Sequence, residues 1–102
     1  MIYLAGRDSG IQQIAYRQEN TGGYMADAYS RISGKVGIVT AQNGPAAALL
    51  VAPLMEALKV SVPLIALVQD VSRDQTDRNA FQEIDHESMF RPCTKWVRRV
   101  MD

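Results

Sequence analysis

Residues 35–41, KVGIVTA, are apolar at successive positions and rich in β-branched side chains, the pattern of a strand covered on both faces. Residues 63–69, PLIALVQ, repeat it. Between them runs NGPAAALLVAPLMEALKV, in which Gly44-Pro45 opens a helix over residues 44–60, because a proline in the first turn gives up an N–H that would have no partner. That helix is apolar almost all round, which predicts burial on several sides, and Pro53 within it predicts a bend. Strand, helix and strand at this spacing form a right-handed crossover with parallel strands.

The same rhythm precedes that unit. IQQIAYR reads as an earlier strand, with no helix before it, and NTGGYMADAYSRIS as a helix carrying Tyr24, Ala28 and Ile32 on one side. Gly34 is placed to cap that helix. Beyond Gln69 the chain turns polar through DVSRDQTDRN. A short helical piece in FQEIDHESMF then stops before Pro92, and TKWVRRV alternates enough to predict an edge strand. The pattern predicts an α/β chain, a three-layer αβα arrangement around a parallel sheet. That sheet looks incomplete, as a fragment of a larger fold would.

Composition narrows the classes. The 102 residues bound one domain or part of one, and 47% apolar with 22% charged residues describes a folded chain. A formal net charge of zero gives no electrostatic reason for nucleic acid or an anionic membrane as partner. Lys35, Glu56 and Lys59 interrupt the longest apolar runs before they reach bilayer length. The start, MIYLAGRDSG, lacks the layout of a secretory signal. The single cysteine, Cys93, makes a reducing cytoplasm the expectation and reads as a buried small hydrophobe.

Ligands of open α/β sheets bind at the carboxyl ends of the strands. Three segments are predicted to meet there: Arg17-Gln18-Glu19, the turn containing Asn43-Gly44-Pro45, and Gln69-Asp70. Glu19 is the one acid in the first two. A carboxylate at a helix start is also what the helix dipole alone favours, so a plain solvated glutamate stands beside the functional reading. Gly22 and Gly23 each cost roughly 1 kcal/mol inside a helix, which suggests a close approach to the backbone there or simply a loose first turn. Asn43-Gly44-Pro45 could turn amides toward a ligand, but no Gly-Lys-Ser/Thr follows it and no GxGxxG is present. His86 and Cys93 stand alone, so no metal-ligand spacing exists.

Taken together, three ordered segments resemble the N-terminal, pyrimidine-binding domain of thiamine-diphosphate enzymes of the acetolactate synthase group. They are RQENTGGYMADAYSRISGK, GIVTAQNGPAAALLVAPLMEALKVSVPLIALV and NAFQEIDHESMFRPCTKWVRRV, and the resemblance spans roughly residues 11–100. It implies that residues 1–102 are part of that domain. It further implies that Glu19 hydrogen-bonds the aminopyrimidine ring of thiamine diphosphate as a catalytic group. A protonated carboxyl there would favour the imino tautomer that takes the thiazolium proton. The small Gly22 and Gly23 would admit the ring, with Asn43, Gly44 and Pro45 also on the cofactor side. Phe81 and Gln82 would lie near the substrate in a facing subunit, Gln82 with a catalytic part, and Lys95 at the entrance. The family's Gly-Asp-Gly…Asn segment, which holds magnesium and the diphosphate, has no counterpart in these residues, so no residue is assigned to metal.

Gln18 stands where histidine is usual, Ala46 where a second glycine is, Leu49 where asparagine is, and Gln42-Asn43 lengthen the turn. These departures bear on the substrate more than on the cofactor. The resemblance implies a carboligase or decarboxylase of 2-oxo acids, paired with a diphosphate-binding domain of the same protein or of a partner subunit in a homodimer or homotetramer. An aldehyde lyase or acyl-CoA decarboxylase using the same cofactor, and a non-catalytic α/β assembly domain, are the alternatives.

Overall fold

The computed structural model describes residues 2–100. Its elements are α1 (Ile2–Asp8), α2 (Glu19–Ser33), β1 (Gly37–Ala41), α3 (Pro45–Ala48), α4 (Val51–Lys59), β2 (Leu64–Val68) and α5 (His86–Phe90), with short 3₁₀ turns at Arg73–Gln75 and Arg91–Cys93. β1 and β2 pair in parallel with Gly37 opposite Leu64 and Ala41 opposite Val68, so both strands end at the same edge. The amide of Gln69 continues the ladder to the carbonyl of Ala41 at 3.0 Å. The predicted crossover and parallel sheet are therefore present.

One face of this sheet is covered. Val39 and Ala41 pack with Ala26 of α2, Leu54 of α4, Ala47, Leu50, Phe90 and Cys93 into a single core. Gly37 is required there, since a side chain would strike the Ala26 carbonyl. The described residues place no helical layer on the other face, where Ile38, Ile65 and Leu67 are exposed. The expected three layers are thus supplied on one side only.

Other expectations are corrected. Residues 44–60 form two helices rather than one bent one. The break falls at Leu49-Leu50, because Pro53 has no N–H to offer the Leu49 carbonyl. α4 buries Pro53, Leu54 and Ala57, while Leu49, Met55 and Val60 face outward, so these helices are not enclosed all round. α2 turns Gly22, Gly23, Ala26, Asp27 and Ser30 inward, not the stripe of Tyr24, Ala28 and Ile32, which is exposed. Its small residues let it lie close to the sheet. Buried Asp27 is paired with Arg31 at 2.7 Å, and Gly34 caps the helix at φ 68° as predicted.

Among the described residues a helix comes first, not a strand. α1 precedes residues 11–16, which form no strand, because Ile11 and Ile14 are exposed and no neighbouring ladder receives them. Residues 94–100 are likewise irregular: Arg99 is tied down by the side chains of Asp70 and Glu87 rather than by a strand partner. No helix among the described residues is long and apolar enough to cross a membrane.

Candidate functional site

Because the strands are parallel, the segments after β1 and β2 emerge at one edge. The approach to Glu19 is fixed there by Tyr16, whose hydroxyl donates to the carbonyl of Thr40, the penultimate residue of β1. Burial, with nearby Tyr3 and Glu19, pushes the Tyr16 phenol above its ordinary range, against the opposing effect of the Thr40 bond. Three residues later Glu19 opens α2, half-buried. Among the described residues its carboxyl takes no hydrogen-bond partner, so its acceptor capacity is available. Among the described residues no strand precedes it, but it does stand at the carboxyl edge of β1.

The two glycines are explained within the chain. A Cβ on Gly22 would lie 2.6 Å from the ring of Tyr16, and one on Gly23 would overlap the ring of Pro53. The missing bulk admits Tyr16 on one side and α4 on the other. Gly22 thereby lets Tyr16 hold the backbone that presents Glu19.

The turn after β1 is the second component. Gly44 takes φ 64°, a left-handed conformation that favours glycine, and a Cβ there would stand 2.6 Å from the Gln82 carbonyl oxygen. The Asn43 side-chain amide donates to the carbonyls of Gln82 (3.3 Å) and Phe81 (3.4 Å). The structure thus brings Asn43, Gly44, Phe81 and Gln82 together, with Pro45 beginning α3. Gln82 has φ 61°, uncommon for a residue with a side chain, and Phe81 is 86% exposed. Lys95 is not part of this cluster. It lies exposed along an open groove beside β2 with Phe90, Cys93 and Val97.

Several residues that shape the site were not singled out from the sequence. The Glu83 carboxylate accepts from the amides of Asp77 (2.6 Å) and Ala80 (2.9 Å), which curls the loop presenting Phe81 and Gln82. The Ala80 amide and then that of Asp77 hold this carboxyl below the ordinary glutamate range. His86 accepts from the Gly44 amide through Nε2 at 3.1 Å. Asp85 caps α5 by accepting from the Ser88 amide at 3.0 Å, and the Asp-x-x-Ser spacing is a sequence signal that could have placed His86 in a first helical turn. Nothing in the sequence pointed to Tyr16, since its tie is to a backbone carbonyl 24 residues away. No group of three metal-ligating side chains occurs among the described residues.

Comparison with known proteins decides the family. Residues 1–89 match the family model described as "Thiamine pyrophosphate enzyme, N-terminal TPP binding domain". The chain belongs to that family. It is 42% identical over 96 residues to the chloroplastic acetolactate synthase of Arabidopsis thaliana, covering 94% of this chain and 14% of that protein. It is 35% identical over 94 residues to the acetolactate synthase isozyme 2 large subunit of Escherichia coli (92% and 17%). With the acetolactate synthase of Bacillus subtilis it shares 33% identity over 101 residues (99% and 18%). The chain therefore spans less than a fifth of the length of these relatives, and it resembles the acetolactate synthases within that span.

Proposed function

We infer that this chain supplies the pyrimidine side of a thiamine-diphosphate site in an enzyme that decarboxylates or ligates 2-oxo acids. The observation that carries this reading is Glu19: a half-buried carboxyl with no hydrogen-bond partner among the described residues, held by Tyr16 at the strand edge where the Asn43–Gly44 turn also emerges. That donor set fits the aminopyrimidine half of the cofactor. Glu19 would hold the ring by a hydrogen bond at a ring nitrogen and carry a proton there, while Asn43, Gly44 and Pro45 would wall the same side. Gly22 and Gly23 would serve indirectly, through the packing of Tyr16 and Pro53. When bound, the cofactor supplies the carbanion-stabilising centre at which a 2-oxo acid loses carbon dioxide and passes on its remaining fragment. The diphosphate and its magnesium would be held by a separate domain, of the same protein or of a partner subunit. Phe81 and Gln82 would face the substrate, and Lys95 the entrance. The single buried Cys93 suits a reducing compartment such as the cytoplasm.

Assembly belongs to the same reading. Tyr24, Met25 and Tyr29 on α2 and Leu49, Met55 and Val60 beside them are exposed, and an open groove between α2 and α4 is lined by Tyr24, Leu49, Val51 and Met55. Contiguous apolar surface of this kind marks contact with another domain or subunit. A homodimer or homotetramer would cover it.

The test supplies the full-length protein, with thiamine diphosphate and magnesium, with pyruvate and other 2-oxo acids, aldehydes and acyl-CoA thioesters in parallel. Cofactor-dependent release of carbon dioxide from a 2-oxo acid is expected. Turnover of only the aldehydes or thioesters would transfer the function to a lyase or acyl-CoA decarboxylase. No cofactor binding at all would favour a non-catalytic assembly role.

A further inference from the structure

We propose that His86 is a positioning residue for this site, its imidazole clamping the Gly44 turn, and with it the Gln82 backbone, to the start of α5. The assignment rests on the reading of this edge as the cofactor pocket, although the clamp itself is a property of the chain.

The geometry fixes what the imidazole does. Gly44 N–H donates to Nε2 at 3.1 Å, so Nε2 presents its lone pair and the neutral ring carries its proton on Nδ1. Nδ1 faces Asp70 Oδ1 at 3.7 Å, longer than a direct hydrogen bond but close enough for the carboxylate to favour that tautomer. Asp70 is bound in turn by Arg99 Nε at 2.6 Å, and the Arg99 amide donates to Glu87 Oε1 at 2.7 Å. Burial works against the Asp70 carboxylate, but Arg99 and the Val71 amide outweigh it and hold the group below the ordinary aspartate range. The ring itself is 11% exposed and stacks on Phe90 at 6.4 Å between centroids and 12° between planes.

One side chain therefore ties the turn after β1 to the start of α5, with Asp70 of the segment after β2 facing its other nitrogen. Gly44 sits in a left-handed conformation directly against Gln82, and Asn43 binds the carbonyls of Phe81 and Gln82. A shift of the Gly44 amide would move the Gln82 backbone with it. The imidazole neither needs to touch cofactor nor substrate: it acts through the turn.

The test separates the acceptor from the ring. His86→Gln keeps an oxygen that can accept from Gly44, His86→Phe keeps a ring on Phe90 but offers no acceptor, and His86→Asn keeps polarity toward Asp70 without reaching Gly44. Amide hydrogen exchange at Gly44 in the full-length protein, without cofactor, should accelerate ~10-fold in the Phe and Asn variants, the share of a net hydrogen bond. It should stay near the parent rate in the Gln variant, with β2 amides unchanged in all three. Under the proposed function, the Phe and Asn variants should also bind thiamine diphosphate or substrate several-fold more weakly, seen in Kd and KM before kcat, with rescue by Gln. Unchanged Gly44 exchange in Phe and Asn, or equal behaviour of Gln and Phe, would overturn the clamp. Changed exchange in a protein whose parent form binds no thiamine diphosphate would uphold the clamp and reject only the cofactor reading. If Phe fails to fold, the Asn and Gln pair decides the matter alone.

Discussion

Gly23 lies directly against the ring of Pro53, so that a methyl group at position 23 would overlap the ring's Cβ and Cγ atoms. Here the second turn of α2 meets the first turn of α4, and the contact sets the spacing between the two helices.

Gly23→Ala therefore sets two effects against each other. Alanine gains ~1 kcal/mol of helix propensity, whereas overpacking a closed contact costs ~1–3 kcal/mol. Both partners are buried and Pro53 is rigid, so the overlap should prevail. A denaturant melt should show net destabilisation, relieved when Pro53→Ala is added. Stabilisation by the single variant would mean that the helices are not in this contact.

The Gly44 turn should tolerate substitution even less. Gly44→Ala combines a strained φ with a Cβ set against the Gln82 carbonyl. Thermal unfolding should shift downward, and the Phe81-Gln82 loop should become more susceptible to proteolysis. An unchanged melt together with an unchanged cleavage pattern would contradict the packing of loop on turn.

Glu83 gives a pH-dependent test. Its carboxyl is held low by the Ala80 and Asp77 amides, so the folded value lies beneath the unfolded one. The loop's stabilisation by Glu83 should be complete above the ordinary glutamate value of about 4.3 and lost as pH falls through the lowered value. The Asp77 and Ala80 amide resonances should report that titration, and Glu83→Gln should abolish it. A midpoint at or above the ordinary value would show that these bonds do not form.

Much of the architecture was legible in the chain because buried strands and proline-opened helices write themselves locally. KVGIVTA and PLIALVQ mark β1 and β2, Gly44-Pro45 marks the start of α3, and Gly34 marks the end of α2. The strand expected in IQQIAYR failed because an apolar run makes a strand only where a neighbour supplies a ladder. The inward face of α2 was missed for a related reason. Its buried residues are Gly, Ala, Asp and Ser, chosen for close approach, while its larger apolar residues point outward. The Asn43-Gly44-Pro45 turn and Phe81-Gln82 were visible as motifs, yet their contact through Gly44 and the bracing by Glu83 and His86 are tertiary. No local pattern encodes them.

The role proposed for Glu19, carrying a proton for bound thiamine diphosphate, is tested by turnover of a 2-oxo acid by the full-length Glu19→Gln variant. Glutamine can occupy the same place and hydrogen-bond the same ring, but it cannot take up and release a proton. A positioned proton-transfer group is worth ~10²–10⁴-fold in rate. A loss of that size in carbon dioxide release is expected, with the unfolding transition of the variant unchanged. Turnover within a few-fold of the parent would contradict it.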